Sequence, residues 1–214
     1  AQWMEPDEAH SGEVRKLSTL LEASQALSAT LDLQAALTRV LDILVRHHGA
    51  VRGSVVLQSE NSGEVELEAV AGAVERGKRV RFRLGEGITG RVMQTGKPMV
   101  VPRVSREPMF VNRVSERPEL REQELSYVSA PVTLDGKTVG AISIDLKYKA
   151  DRDYNRMAKF LGVVGSMIAQ AVRVHRLIQA ERQRLVDENT HLRQELKERY
   201  DFSNIIGTSG PMRQ

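Results

Sequence analysis

The 214-residue chain contains no cysteine. Disulfide bonds, thiolate zinc sites, cysteine-ligated iron–sulfur clusters and thioether-linked chromophores are therefore excluded. Long hydrophobic runs are also missing, since the longest, Phe160 to Val172, is too short to cross a bilayer and is followed directly by Arg173. The acidic first residues lack the apolar segment of a signal peptide. We therefore expect a cytoplasmic protein with no membrane partner and no covalently bound cofactor.

Recognisable catalytic constellations are lacking as well. The sequence has no serine in a nucleophile elbow and no carboxylate pair in an acid/base motif. The adjacent pair His47 and His48 ends a predicted helix, where the helix dipole favours cations, so capping explains it better than metal binding. The net charge of +3 gives no nucleic-acid-binding footprint at the level of the whole chain. We expect neither enzyme activity nor a metal site in this segment.

The spacing of apolar residues predicts two helices at the start of the chain. Residues 1–12 are expected to form a flexible tail, and a helix begins at Glu13 with one apolar face. That face consists of Leu17, Leu20, Leu21, Ser24 and Leu27. A second helix is predicted between a cap at Asp32 and a stop at Gly49.

The hydrophobic period then changes to two, which is typical of strands. Short strands are predicted at 53–59, 64–72 and 78–84, and two longer ones flank Asp135-Gly136, the strongest hairpin signal in the sequence. Two helices, an antiparallel sheet, an irregular middle, a hairpin and a long final helix indicate an α+β fold.

The final predicted helix, 151–200, contains no proline and would extend roughly 70 Å. Its apolar residues repeat every seven positions, which is typical of a coiled coil and predicts a dimer. The predicted dimer seam contains Val164, Ile168, Ala171, His175, Ile178, Arg182, Leu185, Asn189, Leu192 and Leu196. The first half of this seam is also expected to pack in the domain core. The alternative to a dimer is a single solvated helix.

The segment Gly85 to Gly90 reads G-x-G-x-x-G, but neither a ribose-binding acid nor a P-loop lysine follows it. Arginines are concentrated around this loop, and guanidinium groups bind carboxylates and phosphates. The candidate effector-binding residues are Arg81, Arg83, Gly87, Thr89, Arg91, Arg103, Asn112 and Arg113. A strand edge guarded by solvated arginines explains the same charges.

The segments "LGEGITGRVMQTGKPMVVPRV" and "SAPVTLDGKTVGAISID" resemble those of GAF domains, which are sensing modules related to PAS domains. The resemblance implies a sensor domain over 13–176, with a central antiparallel sheet flanked by helices. The first and last helices would lie on one face and a ligand pocket on the other. The signature of cyclic-nucleotide phosphodiesterase GAF domains and the chromophore cysteine of phytochromes are both absent.

The loop "REPMFVNR" resembles that of nitrogen-fixation activators, which work with sigma-54 RNA polymerase. Residues 201–214 resemble the entry to the AAA+ ATPase domain of these activators. The resemblance implies a parent protein with ATPase and DNA-binding domains, and 2-oxoglutarate, a PII-type protein or an anti-activator as regulator. A cyclic-nucleotide effector and a ligand-free dimerisation module are the alternatives, and a redox or light sensor is a remote third.

Overall fold

The computed structural model describes residues 6–72, 81–108 and 117–208, and the chain divides into two compact units, 1–173 and 174–214. The helices are α1 (Pro6–Ser28), α2 (Leu33–His48), α3 (Gly87–Thr95) and α4 (Tyr154–Thr208). The strands are β1 (Arg52–Gln58), β2 (Val65–Gly72), β3 (Arg81–Phe82), β4 (Met99–Val101), β5 (Leu125–Leu134) and β6 (Lys137–Lys147). Two single 3-10 turns, Val104–Arg106 and Pro118–Arg121, lie between β4 and β5.

The strands form one antiparallel sheet in the order β3-β2-β1-β6-β5-β4. The larger apolar cluster joins α1, α2 and the first part of α4 to one face, through side chains such as Leu37, Ile144 and Leu161. The smaller cluster joins α3 to the opposite face, through side chains such as Val92 and Tyr127. The α+β fold with helices on both faces of an antiparallel sheet is therefore confirmed.

Local signals account for several element ends. The Asp32 side chain accepts a hydrogen bond from the backbone N–H of Ala35, and Gly49 ends α2 in the left-handed conformation at φ 66°. Asp135 and Gly136 have φ of 51° and 75°, the positive angles that a tight hairpin turn needs at both central positions. These predicted caps and the predicted turn are confirmed.

The predictions for α1 were partly wrong. The helix begins at Pro6 rather than Glu13, because proline is well tolerated at the first helical position, where no N–H is needed. The buried face contains Thr19, Ala23 and Ala26, whereas Leu17 and Leu21 are more than 60% exposed. Leu20 and Leu27 of the predicted face are partly buried against the larger apolar cluster, so this part of the prediction is confirmed.

The first part of α4 is a core helix. Val164 and Ile168 are fully buried in the larger apolar cluster, so these two positions of the predicted dimer seam pack within the chain's own domain. By length and composition, α4 is the one helix among the described residues that could span a membrane, although 44% of its most apolar window is buried. The core packing of this segment accounts for its apolarity.

The unit 174–214 contains the rest of α4. The helix continues to Thr208, past the predicted end at Tyr200, since no glycine or proline occurs between Tyr200 and Gly207. Along this part Leu185, Leu192 and Leu196 are at least 50% exposed. The predicted start of a further domain at 201–214 thus begins as helix, and residues 209–214 lie outside the described range.

Candidate functional site

A row of polar side chains crosses the middle of the sheet on the face covered by α3. Arg52 of β1 lies directly opposite Asp145 of β6, and Asp145 lies directly opposite Tyr127 of β5. Directly opposite residues point to the same face of a sheet. The strand register therefore collects a guanidinium, a carboxylate and a phenol in one row.

The row is part of a buried ionic cluster, defined as Arg52, Arg117, Glu119 and Asp145. Arg52 donates from Nη1 to Oδ2 of Asp145 at 2.7 Å, and from Nη2 to both carboxylate oxygens of Glu119 at 2.7 and 2.9 Å. Arg117 donates to Asp145 from Nε at 2.7 Å and from Nη2 at 3.2 Å. Two cations and two anions thus balance one another, with Arg52, Arg117 and Asp145 buried and Glu119 partly exposed.

The charges of the ionic cluster reinforce one another. Burial alone would lower the pKa of Arg52, but the hydrogen bonds to Glu119 and Asp145 outweigh it and raise that pKa. Burial alone would raise the pKa of Glu119, but the hydrogen bonds from Arg52 outweigh it and lower that pKa. Both partners are therefore charged at neutral pH.

Hydroxyl groups continue the polar surface beside the ionic cluster. The Ser129 and Ser143 hydroxyls are 2.8 Å apart, and the Tyr127 hydroxyl lies 2.9 Å from Oγ1 of Thr89 on α3. Burial raises the pKa of Tyr127, so its phenol stays protonated and can donate a hydrogen bond. The guanidinium of Arg117 lies 5.7 Å from the centre of the Tyr127 ring, within reach of a cation–π contact.

These side chains surround a cavity of about 20 Å³. Its lining consists of Arg52, Gly53, Ser54, Arg117, Tyr127, Ser143 and Asp145. A space of this size holds about one water molecule. Both arginines of the lining already donate hydrogen bonds to carboxylates of the chain itself, so a molecule larger than water enters only if part of the wall moves.

The residues predicted from sequence lie mostly away from this cavity. Arg83 and Arg91 are exposed, and Arg103 packs its guanidinium 4.6 Å from the centre of the Tyr148 ring. Thr89 contacts the cavity wall through Tyr127, and Gly87 begins α3. Of Arg81 only the backbone, in β3, is described. Asn112 and Arg113 lie outside the described residues.

The sequence interpretation missed the ionic cluster. One signal was available, since Ser143 and Asp145 interrupt the apolar middle of strand β6 at alternate positions. A carboxylate within an apolar strand indicates a buried charge with a partner. The identity of that partner could not be read from the sequence, because Arg52 is 93 positions away along the chain.

Comparison with known proteins gives the family of this architecture. A model of the GAF domain family matches residues 30–173. The Nif-specific regulatory protein of Herbaspirillum seropedicae is 33% identical over 201 residues, covering 93% of this chain. The Nif-specific regulatory protein of Azospirillum brasilense is 37% identical and covers 85% of the chain. Nitrogen fixation protein VnfA of Azotobacter vinelandii is 35% identical and covers 92%.

The chain spans only 37%, 29% and 38% of the lengths of these three relatives. Among solved structures, the Nlh2 GAF domain of A. aeolicus in an inactive state matches with a TM-score of 0.67 at 22% identity, covering 76% of this chain and 98% of that one. The free methionine-R-sulfoxide reductase of Neisseria meningitidis, solved with its substrate, matches with a TM-score of 0.63 at 20% identity, covering 76% and 91%. At these identities the structures show a shared fold alone.

Proposed function

This chain belongs to the GAF family and is a GAF sensor domain of the Nif-type regulatory proteins, and we propose that it binds a small anionic effector in the cavity beside the ionic cluster. The parent protein is then a sigma-54-dependent activator of nitrogen-fixation genes. Effector binding controls its AAA+ ATPase domain, which acts on RNA polymerase at a DNA site, in the cytoplasm.

The observation that carries the effector class is the pair of buried arginines at the cavity wall. Arg52 is 3% exposed and Arg117 is 9% exposed, and both residues line the cavity. Guanidinium groups bind carboxylates and phosphates through paired hydrogen bonds. A dicarboxylate such as 2-oxoglutarate suits this wall, and a cyclic nucleotide is the competing small molecule.

One observation favours a second candidate, a ligand-free regulatory module that responds to a partner protein. The cavity holds about one water molecule, and both arginines already have carboxylate partners. Small-molecule sites are usually many times larger. Under this alternative the ionic cluster stabilises the fold, and a PII-type or anti-activator protein provides the signal.

A homodimer would transmit the signal along α4. The exposed apolar side chains Leu185, Leu192 and Leu196 follow the heptad spacing, and a second copy of the helix would bury them. Exposed Val14, Leu17 and Leu21 on α1 form a similar stripe that supports pairing of the GAF domains. His175, Ile178, Arg182 and Asn189 complete the proposed seam, whose polar members permit two alternative packings.

Calorimetric titration of the chain with 2-oxoglutarate and with cyclic AMP tests the effector class. Arg52→Lys keeps the charge but loses the paired geometry, so we expect it to weaken binding by about tenfold or more. Arg83→Lys, an exposed arginine predicted from sequence, is the matched control and should leave binding unchanged.

If Arg83→Lys weakened binding more than Arg52→Lys, the site would be assigned to the surface arginines. If neither ligand released heat on titration into protein whose folding is verified by circular dichroism, the ligand-free module would be favoured.

A further inference from the structure

Glu119 differs from the other members of the ionic cluster in its position. Arg52 and Asp145 extend from strands in the centre of the sheet, and their side chains are 3% and 2% exposed. Glu119 extends from the short 3-10 turn Pro118–Arg121, and its side chain is 22% exposed. It is therefore the carboxylate of the cluster that can reach water without first opening the sheet.

The contact that Glu119 makes is one that a ligand carboxylate can copy. Both of its oxygens accept hydrogen bonds from Nη2 of Arg52, at 2.7 and 2.9 Å. The hydrogen bonds from Arg52 outweigh the effect of burial and lower the pKa of Glu119, so it is anionic at neutral pH. One carboxylate of an incoming effector would replace that of Glu119 charge for charge on Arg52.

A space of about 20 Å³ cannot hold a dicarboxylate, so an effector can reach Arg52 only by displacing a group that Arg52 already binds. Glu119 does not line this cavity, and its side chain is the more exposed of the two carboxylates on Arg52. Asp145 accepts hydrogen bonds from both buried arginines, whereas Glu119 accepts them from Arg52 and acts on Arg117 through its charge. Displacement of Glu119 is thus the less costly way to open a carboxylate position on Arg52.

We propose that Arg52 is the receptor for an effector carboxylate and that Glu119 is its built-in occupant, which the effector displaces. This rests on the proposed function only for the identity of the effector. Displacement frees the Pro118–Arg121 turn, whose Leu120 packs on the smaller apolar cluster. Effector binding is thereby converted into a change in the position of this turn.

The first test uses acetate as the probe and does not depend on the natural effector. Glu119→Ala leaves the position on Arg52 empty, so acetate should raise the melting temperature of this variant by about 2–4 °C more than that of the unaltered chain. Sodium chloride at equal ionic strength is the salt control. Glu122→Ala removes an exposed carboxylate three positions away and should respond as the unaltered chain does. Equal shifts in all three proteins would overturn the proposal.

The second test measures 2-oxoglutarate binding by calorimetry. Glu119→Gln weakens the built-in contact without creating a void, so it should bind 2-oxoglutarate about tenfold more tightly than the unaltered chain, while Glu122→Gln should not. Equal affinity of Glu119→Gln and the unaltered chain would refute displacement. Acetate rescue without any 2-oxoglutarate binding would uphold the receptor role of Arg52 and reject the proposed effector class.

Discussion

Replacing Asp145 with asparagine removes the charge that holds both buried arginines. Arg52 and Arg117 each donate to Oδ2 of Asp145 at 2.7 Å, and the Asp145 side chain is 2% exposed. Asparagine has nearly the same shape, so the change is one of charge and hydrogen bonding rather than volume. Its NH₂ group also faces guanidinium donors that it cannot bond.

The expected cost is large because burial prevents water from compensating. Removing one partner of a buried ion pair costs about 3–5 kcal/mol. A domain of this size loses about 2–4 °C of melting temperature per kcal/mol, so Asp145→Asn should lower the melting temperature by roughly 6–20 °C.

Urea denaturation followed by far-ultraviolet circular dichroism measures the free energy of unfolding directly. Asp135→Asn is the matched control, because Asp135 pairs with Arg173 at the same 2.7 Å distance but is 72% exposed. An exposed pair contributes about 1 kcal/mol or less, and asparagine tolerates the positive φ of this turn position. If the two variants lose similar amounts, below about 1 kcal/mol each, the reasoning about the ionic cluster is refuted.

Three further predictions concern other parts of the chain. Burial, followed by nearby positive charges, lowers the pKa of His48 to about 4, so the free energy of unfolding should fall as the pH drops from 6.5 towards 4, on the order of 1 kcal/mol. His48→Gln should flatten that dependence in urea titrations, and an unchanged slope would contradict the assignment. Gly162→Ala should stabilise the protein by about 0.5–1 kcal/mol, because its Cβ meets no atom within 4 Å. Gly165→Ala should destabilise the protein by about 1–3 kcal/mol, because its Cβ would lie 2.6 Å from the Pro131 carbonyl oxygen. If thermal melts showed that both glycine variants shift the melting temperature in the same direction, this description of the packing would be refuted. Leu185→Cys at the proposed seam should form interchain disulfides on oxidation, and the disulfide yield should change when effector is added. Asp187→Cys, on the opposite side of the helix, should not form them. Equal disulfide yields from the two variants would count against the seam.

Local structure was well predicted because its causes lie within a few residues. The caps of α2 and the Asp135-Gly136 turn each depend on the conformation of one or two residues. The strand pattern of the hairpin follows from alternation alone. Together with the family resemblance, these signals were sufficient to predict the α+β fold with its antiparallel sheet flanked by helices.

The buried face of α1 could not be predicted in the same way. Its leucine spacing suggested one apolar face, but the close approach of α2 favours the face with Ala23 and Ala26. Hydrophobicity alone does not predict that a small residue is buried in preference to a large one, because that preference depends on the distance to the neighbouring helix.

The sequence by itself determined the elements of this domain, their order and its family, because capping, turn and periodicity signals act over short distances. Only the tertiary structure decided which arginines face the cavity. Arg52 meets Asp145 through the register of β1 against β6, and Arg117 and Glu119 reach them from a loop. Such pairing depends on the relative positions of strands and loops that are distant in the chain. The exposed arginines near the glycine loop carry the same charge as Arg52 and Arg117, but the sequence does not show which arginines are buried beside carboxylates.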